Sequence, residues 1–244
     1  MTSLELNLQA VQQRIVAAAD RVGRDPAGIT LVAVTKTQPP AVIQAAYQLG
    51  LRHFGENRVE EAGPKLAGLP DDIIWHMIGH IQGRKAGPVA SLFDMVHSLE
   101  SVKLARRLDR LSEGQPGPLP VLLEFNISGE AGKYGFAADR WPEDGVQRES
   151  IFAAVQEIIG LPHLQVQGLM TMAPIVTDAE EARPVFTRLR KLLEELAAAF
   201  PQAGLWHLSM GMTDDFEVAI EEGATLVRVG RAIFEPDLPP WRKG

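Results

Sequence analysis

Apolar side chains change their spacing after the first two dozen residues. Leu4, Leu8, Val11, Ile15 and Val22 recur at helical intervals with polar residues between them. This predicts an amphipathic helix over about residues 3–23, closed by Gly23 with Pro26 beyond. From there, short apolar runs rich in β-branched residues alternate with helical stretches. The runs fall at 29–35, 73–79, 119–127, 164–173 and 226–229, with weaker ones at 52–56, 94–98 and 205–210. PPAVIQAAYQLG, SVKLARRLDRLSEG, PVFTRLRKLLEELAAAF and DDFEVAIEEG read as helices between them, several ending on the glycine that often follows a helix.

Strands alternating with helices imply βαβ units and a parallel sheet covered by helices. Eight strand candidates in 244 residues fit a (β/α)8 barrel, for which about 250 residues is typical. A doubly wound open sheet is the competing arrangement. Its dinucleotide-binding form would carry GxGxxG after the first strand, where this chain reads TKTQPP. The sequence therefore predicts an α/β fold: one (β/α)8 TIM-type barrel domain over residues 1–244 with an extra N-terminal helix. The stretch ADRWPEDGVQRES (138–150) reads as a polar surface loop before the fifth helix.

Composition narrows the function classes. Apolar residues make up 45% and charged residues 23%, enough for a sizeable core. No stretch approaches the roughly 20 continuous apolar residues of a membrane helix, and the N-terminus lacks a basic-then-apolar secretory leader. Without cysteine, disulfides and thiolate chemistry are excluded. A net charge of −7 argues against nonspecific nucleic-acid binding. The expected setting is the cytoplasm, as a soluble protein.

Candidate chemistry follows from the barrel, whose active sites lie at the C-terminal ends of the strands. The first strand, ITLVAVTKT (29–37), runs into Lys36. A lysine leaving a sheet commonly snorkels its amine to water. Crowded by apolar strands, the same amine would be costly to keep charged, and a neutral amine is the nucleophile for a Schiff base with a carbonyl compound. Strands seven and eight read WHLSMGMTDD and LVRVGRAIF, and the loops after those strands are the usual phosphate site of such barrels. Ser209 offers a hydroxyl, the SMGM and VGR turns offer N–H groups, and Gly211 and Gly230 let backbone approach an anion. A helix after Met212, capped by Thr213 or Asp214, would add its positive end. Arg228 lies two residues before Gly230, so both share a strand face. An inward arginine is costly unless it meets a ring nitrogen or an anion. Lysine, phosphate cradle and arginine together describe a site for pyridoxal 5′-phosphate (PLP).

The motifs AVTKT, FGENRVEE (54–61), WHMIGHIQGRK (75–85), FNISGEAGKYGF (125–136), GLMTMAP (168–174) and HLSMGMTDDFEVAIEEGATLVRVGRAIF (207–234) resemble the pyridoxal phosphate homeostasis proteins, the YggS/PROSC family. The resemblance runs from about residue 4 to 235 and implies the alanine racemase N-terminal barrel. It implies that Lys36 carries the cofactor as an aldimine and that Arg228 faces the pyridine nitrogen. Ser209 and the backbone of Met210, Gly230 and Arg231 would hold the phosphate, with Asn57 beside the ring. The chain departs from the family pattern at Ile81, Gln82, Gly83, Arg84 and Lys85. Thr213 stands where serine is usual, and Arg231 where a small hydroxyl residue is common.

Two functions fit these residues. A PLP-dependent racemase would need acid and base groups on both faces of its substrate. Fold-related racemases draw a tyrosine from a second domain, for which this chain has no residues to spare. Tyr47 reads as packing in the first helix of the alternating pattern, and Tyr134 sits in the KxG loop. A protein that stores PLP and delivers it to apo-enzymes needs only the reversible bond, the cradle and an open face, and monomer is its expected state. His76 and His80 share a strand face too far apart for a metal, though His80 could flank the cofactor ring. Lys133 could attract a second phosphate at the barrel mouth, or be a solvated loop lysine.

Overall fold

The N-terminal apolar stripe folds as α1 (Ser3–Arg21), with the Thr2 hydroxyl accepting from Glu5 N–H and Leu8, Val11, Ile15, Ala18 and Ala19 buried. Val22 falls outside the stripe: it caps the helix and is 43% exposed. The structure, a computed structural model, describes residues 2–235. Every predicted apolar run forms a strand. They are β1 (Thr30–Val34), β2 (His53–Glu56), β3 (Ile74–Met77), β4 (Met95–Leu99), β5 (Leu119–Asn126), β7 (Leu164–Met170), β8 (His207–Ser209) and β9 (Leu226–Val229). A further pair of residues, β6 (Phe136–Ala137), adds to the end of β5.

All pairings are parallel, in the order β4-β3-β2-β1-β9-β8-β7-β5, and β4 also pairs with β5, which closes the eight strands into a barrel. Among the described residues, the closed ring leaves only the short β6 as an edge. Helices α2 (Pro40–Gln48), α3 (Val59–Leu66), α4 (Ala86–Leu92), α5 (Val102–Ser112), α6 (Gly145–Ile159), α7 (Arg183–Ala199), α8 (Phe216–Glu221) and α9 (Arg231–Phe234) cover it. Helix α1 is tied to the last βα units by Arg14 Nε donating to Glu217 (2.5 Å) and Asn7 Nδ2 donating to Ile233 O (3.2 Å). No helix among the described residues is long and apolar enough to cross a membrane.

The 138–150 stretch is not a loop throughout. Ala138 and Trp141 are buried, and α6 already starts at Gly145, where the Asp144 carboxylate accepts from the N–H groups of Val146 and Gln147. The turn residues Pro142, Asp144 and Gly145 mask a capped helix start.

Two cores result. The larger lies between helices and sheet, with Phe54, Ile43, Phe186 and Phe216 fully buried. The smaller is the barrel interior, where Val32, Met95, Leu122, Met170 and Leu226 meet. Two residues farther along β4, β5 and β9, on the same strand face, stand His97, Glu124 and Arg228. An apolar floor thus carries a polar layer beneath the barrel mouth.

Candidate functional site at the barrel mouth

A cavity of about 500 Å³ opens at the C-terminal ends of β1, β8 and β9, lined among others by Val34, Lys36, Thr213, Arg228, Gly230 and Arg231. Alternation along β1 puts Val32, Val34 and Lys36 on one face, so the lysine emerges above the barrel interior. Lys36 is exposed. The crowding expected from its apolar strand ends below it, and the amine stands in the open mouth. Thr37 follows with φ +67°, and Gln38 N–H donates to Thr35 O (2.9 Å), closing a tight turn under the lysine.

Arg228 is 4% exposed. Its guanidinium donates to Ser209 Oγ (2.5 Å) and to Thr171 O (2.9 Å), neither of them an anion. Burial pulls its pKa down to about 10, while the charges of Asp215 and Glu124 oppose the shift, so it stays a cation at neutral pH. Two of its five N–H donors are used by those bonds, and the cavity lies on its open side.

Ser209 and Met210 do not reach the cavity. Ser209 is fully buried, and its oxygen is shared by Arg228 and His97 Nδ1 (2.8 Å). Met210 N–H already donates to Leu226 O (3.2 Å) in the sheet. Both are therefore committed inside the barrel wall, a layer below the mouth. The hydroxyl that lines the cavity is that of Thr213, whose Oγ1 accepts from Ala232 N–H (3.4 Å). Neither Thr213 nor Asp214 caps a helix. Helix α8 starts at Phe216 after Asp215, whose carboxylate accepts from Met212 N–H (2.6 Å) and folds the 212–215 segment back on itself.

Both glycines make room. Gly211 has φ +90°, and a β-carbon there would lie 2.6 Å from Ala219 Cβ. At Gly230 it would lie 3.2 Å from Val34 Cβ, at the lip of the cavity. Arg231 presents its backbone to this lip while its side chain pairs with Asp214, which offsets the charge that departs from the family pattern.

A neighbouring hollow of about 380 Å³ holds Asn57, Gly79 and His80. Gly79 allows the ends of β2 and β3 to meet, since a β-carbon there would sit 2.3 Å from Asn57 O. His80 bonds Glu100 (2.9 Å) and stacks on Tyr134, with ring centroids 3.8 Å apart. Tyr47 lies away from the mouth, its hydroxyl on Asp72. Lys133 is held by Glu130 and Ser128 of its own loop and by Met172 O beyond β7.

Apart from Arg228, sequence reasoning missed the polar layer. His53, His76 and His97 form a hydrogen-bonded row (2.9 and 2.8 Å) that ends on Ser209. Burial lowers all three, His76 to about 3 and His97 well below its ordinary range. Glu124 is pushed up to about 7 by burial and then by Glu100, against the pull of Arg228. The only sequence signal for this layer was the period-two spacing of these residues from apolar ones.

Comparison with known proteins fits this geometry. Residues 6–236 match the family described as alanine racemase, N-terminal domain. The pyridoxal phosphate homeostasis protein of Pseudomonas aeruginosa is 43% identical over 235 residues, 96% of each chain. PipY of Synechococcus elongatus, solved with PLP bound, superposes with a TM-score of 0.76 at 35% identity, covering 92% of this chain and 99% of PipY. Alanine racemase of Clostridium difficile superposes at 0.70 with 12% identity, covering 98% of this chain and 57% of the racemase, a likeness of fold alone.

Proposed function

The chain belongs to the alanine racemase N-terminal domain family and within it to the pyridoxal phosphate homeostasis proteins, and from that premise we propose that it binds PLP at the barrel mouth, holds it covalently on Lys36, and stores and delivers it within the cytoplasm. PLP supplies an aldehyde that condenses with a primary amine, a pyridine nitrogen that accepts a hydrogen bond, and a phosphate.

The residues present fit that group. Lys36 offers the amine in an accessible position. Arg228 keeps unused donors and a buried positive charge on the cavity side, and it would hold a ring nitrogen as an acceptor without giving up a proton. Thr213 and the 230–231 backbone supply neutral donors for a phosphate, with Gly230 leaving space for it. Thr213 takes the hydroxyl role expected of Ser209. Asn57 and His80 flank the opening on the β2–β3 side.

The observation that carries the reading is the pairing of an exposed strand-end amine with a buried guanidinium that makes no ion pair among the described residues, both on one cavity. Racemisation would need an acid–base group facing Lys36. Of the three carboxylates lining the cavity, Asp214 is paired with Arg231 and Asp215 is bonded to Met212 N–H, while Glu235 stands exposed at its edge. Holding the cofactor needs none of them.

The test is retention through desalting after incubation with PLP. One equivalent should stay bound with a visible absorbance band, whereas pyridoxal, lacking the phosphate, should wash away. Loss of PLP itself on desalting would refute the reading.

A further inference from the structure

The residue before Lys36 is fastened from three sides. Thr35 is fully buried, and its N–H donates to Gly55 O (2.9 Å). Its hydroxyl donates to Glu56 Oε1 (2.7 Å), and its carbonyl accepts from Lys65 Nζ (3.0 Å). Lys65 Nζ in turn donates to the same Glu56 Oε1 (2.9 Å), in an ion pair with 12% exposure at the lysine and none at the glutamate. Removing one member of so buried a pair would leave the other charge uncompensated, which is strongly unfavourable. The second carboxylate oxygen, Oε2, is buried with no partner, so Lys65 and Thr35 are what satisfy this group.

What this pair holds is the turn that carries Lys36. Thr35 O also accepts from Gln38 N–H (2.9 Å), so residues 35–38 form a β-turn with Lys36 and Thr37 at its centre. Thr37 has φ +67°, the value a type II turn requires at its third position, where glycine or asparagine is usual. Among the described residues it is the one non-glycine with positive φ. A β-branched residue in that region persists only when its surroundings over-determine it. The carbonyl that closes this turn is the one Lys65 grips.

We propose that Glu56 and Lys65 are positioning residues: their buried ion pair clamps Thr35 and holds the strained turn that aims the Lys36 amine into the cavity. The role rests on the reading of Lys36 as the covalent residue. It is absent from any view of the site limited to the cavity wall, since neither residue lines it.

The test uses the full chain with two variants, Lys65→Met and Thr35→Val, and two readouts. In ligand-free protein, hydrogen exchange at the Gln38 amide reports opening of the turn, with Phe54 as a core control. With added PLP, the rate of borohydride-trapped label on Lys36 reports placement of the amine. Lys65→Met should speed Gln38 exchange at least tenfold and slow trapping at least fivefold, while exchange at Phe54 stays within twofold. A wild-type value in either readout overturns the proposal. Should Lys65→Met not fold, Thr35→Val decides by the same two readouts, with expected changes of at least threefold. If the unaltered protein traps no label on Lys36, the covalent reading fails, and Gln38 exchange still reports separately on the clamp.

Discussion

Arg228 donates to the hydroxyl of Ser209 across 2.5 Å inside the barrel, and that bond sets the direction of a chain of hydrogen bonds behind it. Arginine is only a donor, so Ser209 accepts from it and can pass its own proton to His97 Nδ1. His97 then donates through Nε2 to His76 Nδ1, and His76 through Nε2 to His53 Nδ1. Every ring is neutral in this arrangement, in keeping with the lowered values of all three. The row thus ends on the guanidinium that lines the cavity at the barrel mouth, and it fixes that group without neutralising it.

Ser209→Ala should therefore act through Arg228 and not through phosphate. It leaves a buried guanidinium donor and His97 without a partner, at a cost of about 1–3 kcal/mol. Urea denaturation should show that loss, and PLP titration should show a shifted visible band with weaker binding. Thr213→Ala should do the reverse, costing little stability while weakening PLP binding roughly tenfold, the equivalent of about 1.4 kcal/mol. Equal effects of the two variants on stability and on binding would contradict this division.

Removing the cation itself separates placement from folding. Arg228→Ala should shift the spectrum of bound PLP and weaken its retention, with the circular dichroism of the barrel unchanged. An unchanged spectrum and affinity would take Arg228 away from the ring nitrogen.

The polar layer gives stability a definite pH dependence. His76, His97 and His207 stay neutral in the fold below their ordinary value of 6.5, His207 down to about 4, so the unfolded chain binds three more protons there, and the lowered His53 adds in the same sense. Glu124 works in the opposite sense. It is protonated in the fold up to about 7 and ionised in the unfolded chain above 4.5, so the fold binds one more proton. Between about pH 4.5 and 6.5 the net difference is about two protons, and stability should rise by about 2.7 kcal/mol per pH unit. Above pH 6.5 only the Glu124 contribution remains, and stability should fall slightly before levelling past pH 7. Chemical denaturation across this range should give that profile, and Glu124→Gln should steepen its acid limb. A limb that stays the same in Glu124→Gln would contradict the assignment.

Gly211, packed against α8, and Gly230, at the cavity, should respond differently to a methyl group. Gly211→Ala forces φ +90° on alanine and places its β-carbon 2.6 Å from Ala219 Cβ, so it should cost at least about 2 kcal/mol. At Gly230 the contact is 3.2 Å to Val34 Cβ, and Gly230→Ala should cost about 1 kcal/mol while weakening PLP binding more than pyridoxal binding. Thermal melts and parallel titrations check both.

Much of this was legible in the sequence where the physics is local. The eight strands follow from apolar runs, and Lys36, Arg228 and Gly230 follow from strand ends and the two-residue period. Helices α3 and α4 appeared only as gaps because each carries a Gly-Pro pair, Gly63-Pro64 and Gly87-Pro88, which weakens the helical signal. The burial of Ser209 was not legible because a strand end tells which face a side chain takes and not its depth in the barrel. Glu56 and Lys65 were not legible at all. They sit nine residues apart on a strand and the following helix, and only the fold brings them to Thr35. The flanking threonines of VTKT now have physical reasons: Thr35 is the anchor and Thr37 the strained corner.

The most direct test of the central claim is peptide mapping after borohydride reduction of the PLP-loaded protein. A phosphopyridoxyl mass on Lys36, absent in Lys36→Ala while some unreduced PLP binding survives, is the result expected. Label on another discrete lysine, or unchanged labelling in Lys36→Ala, would contradict the account.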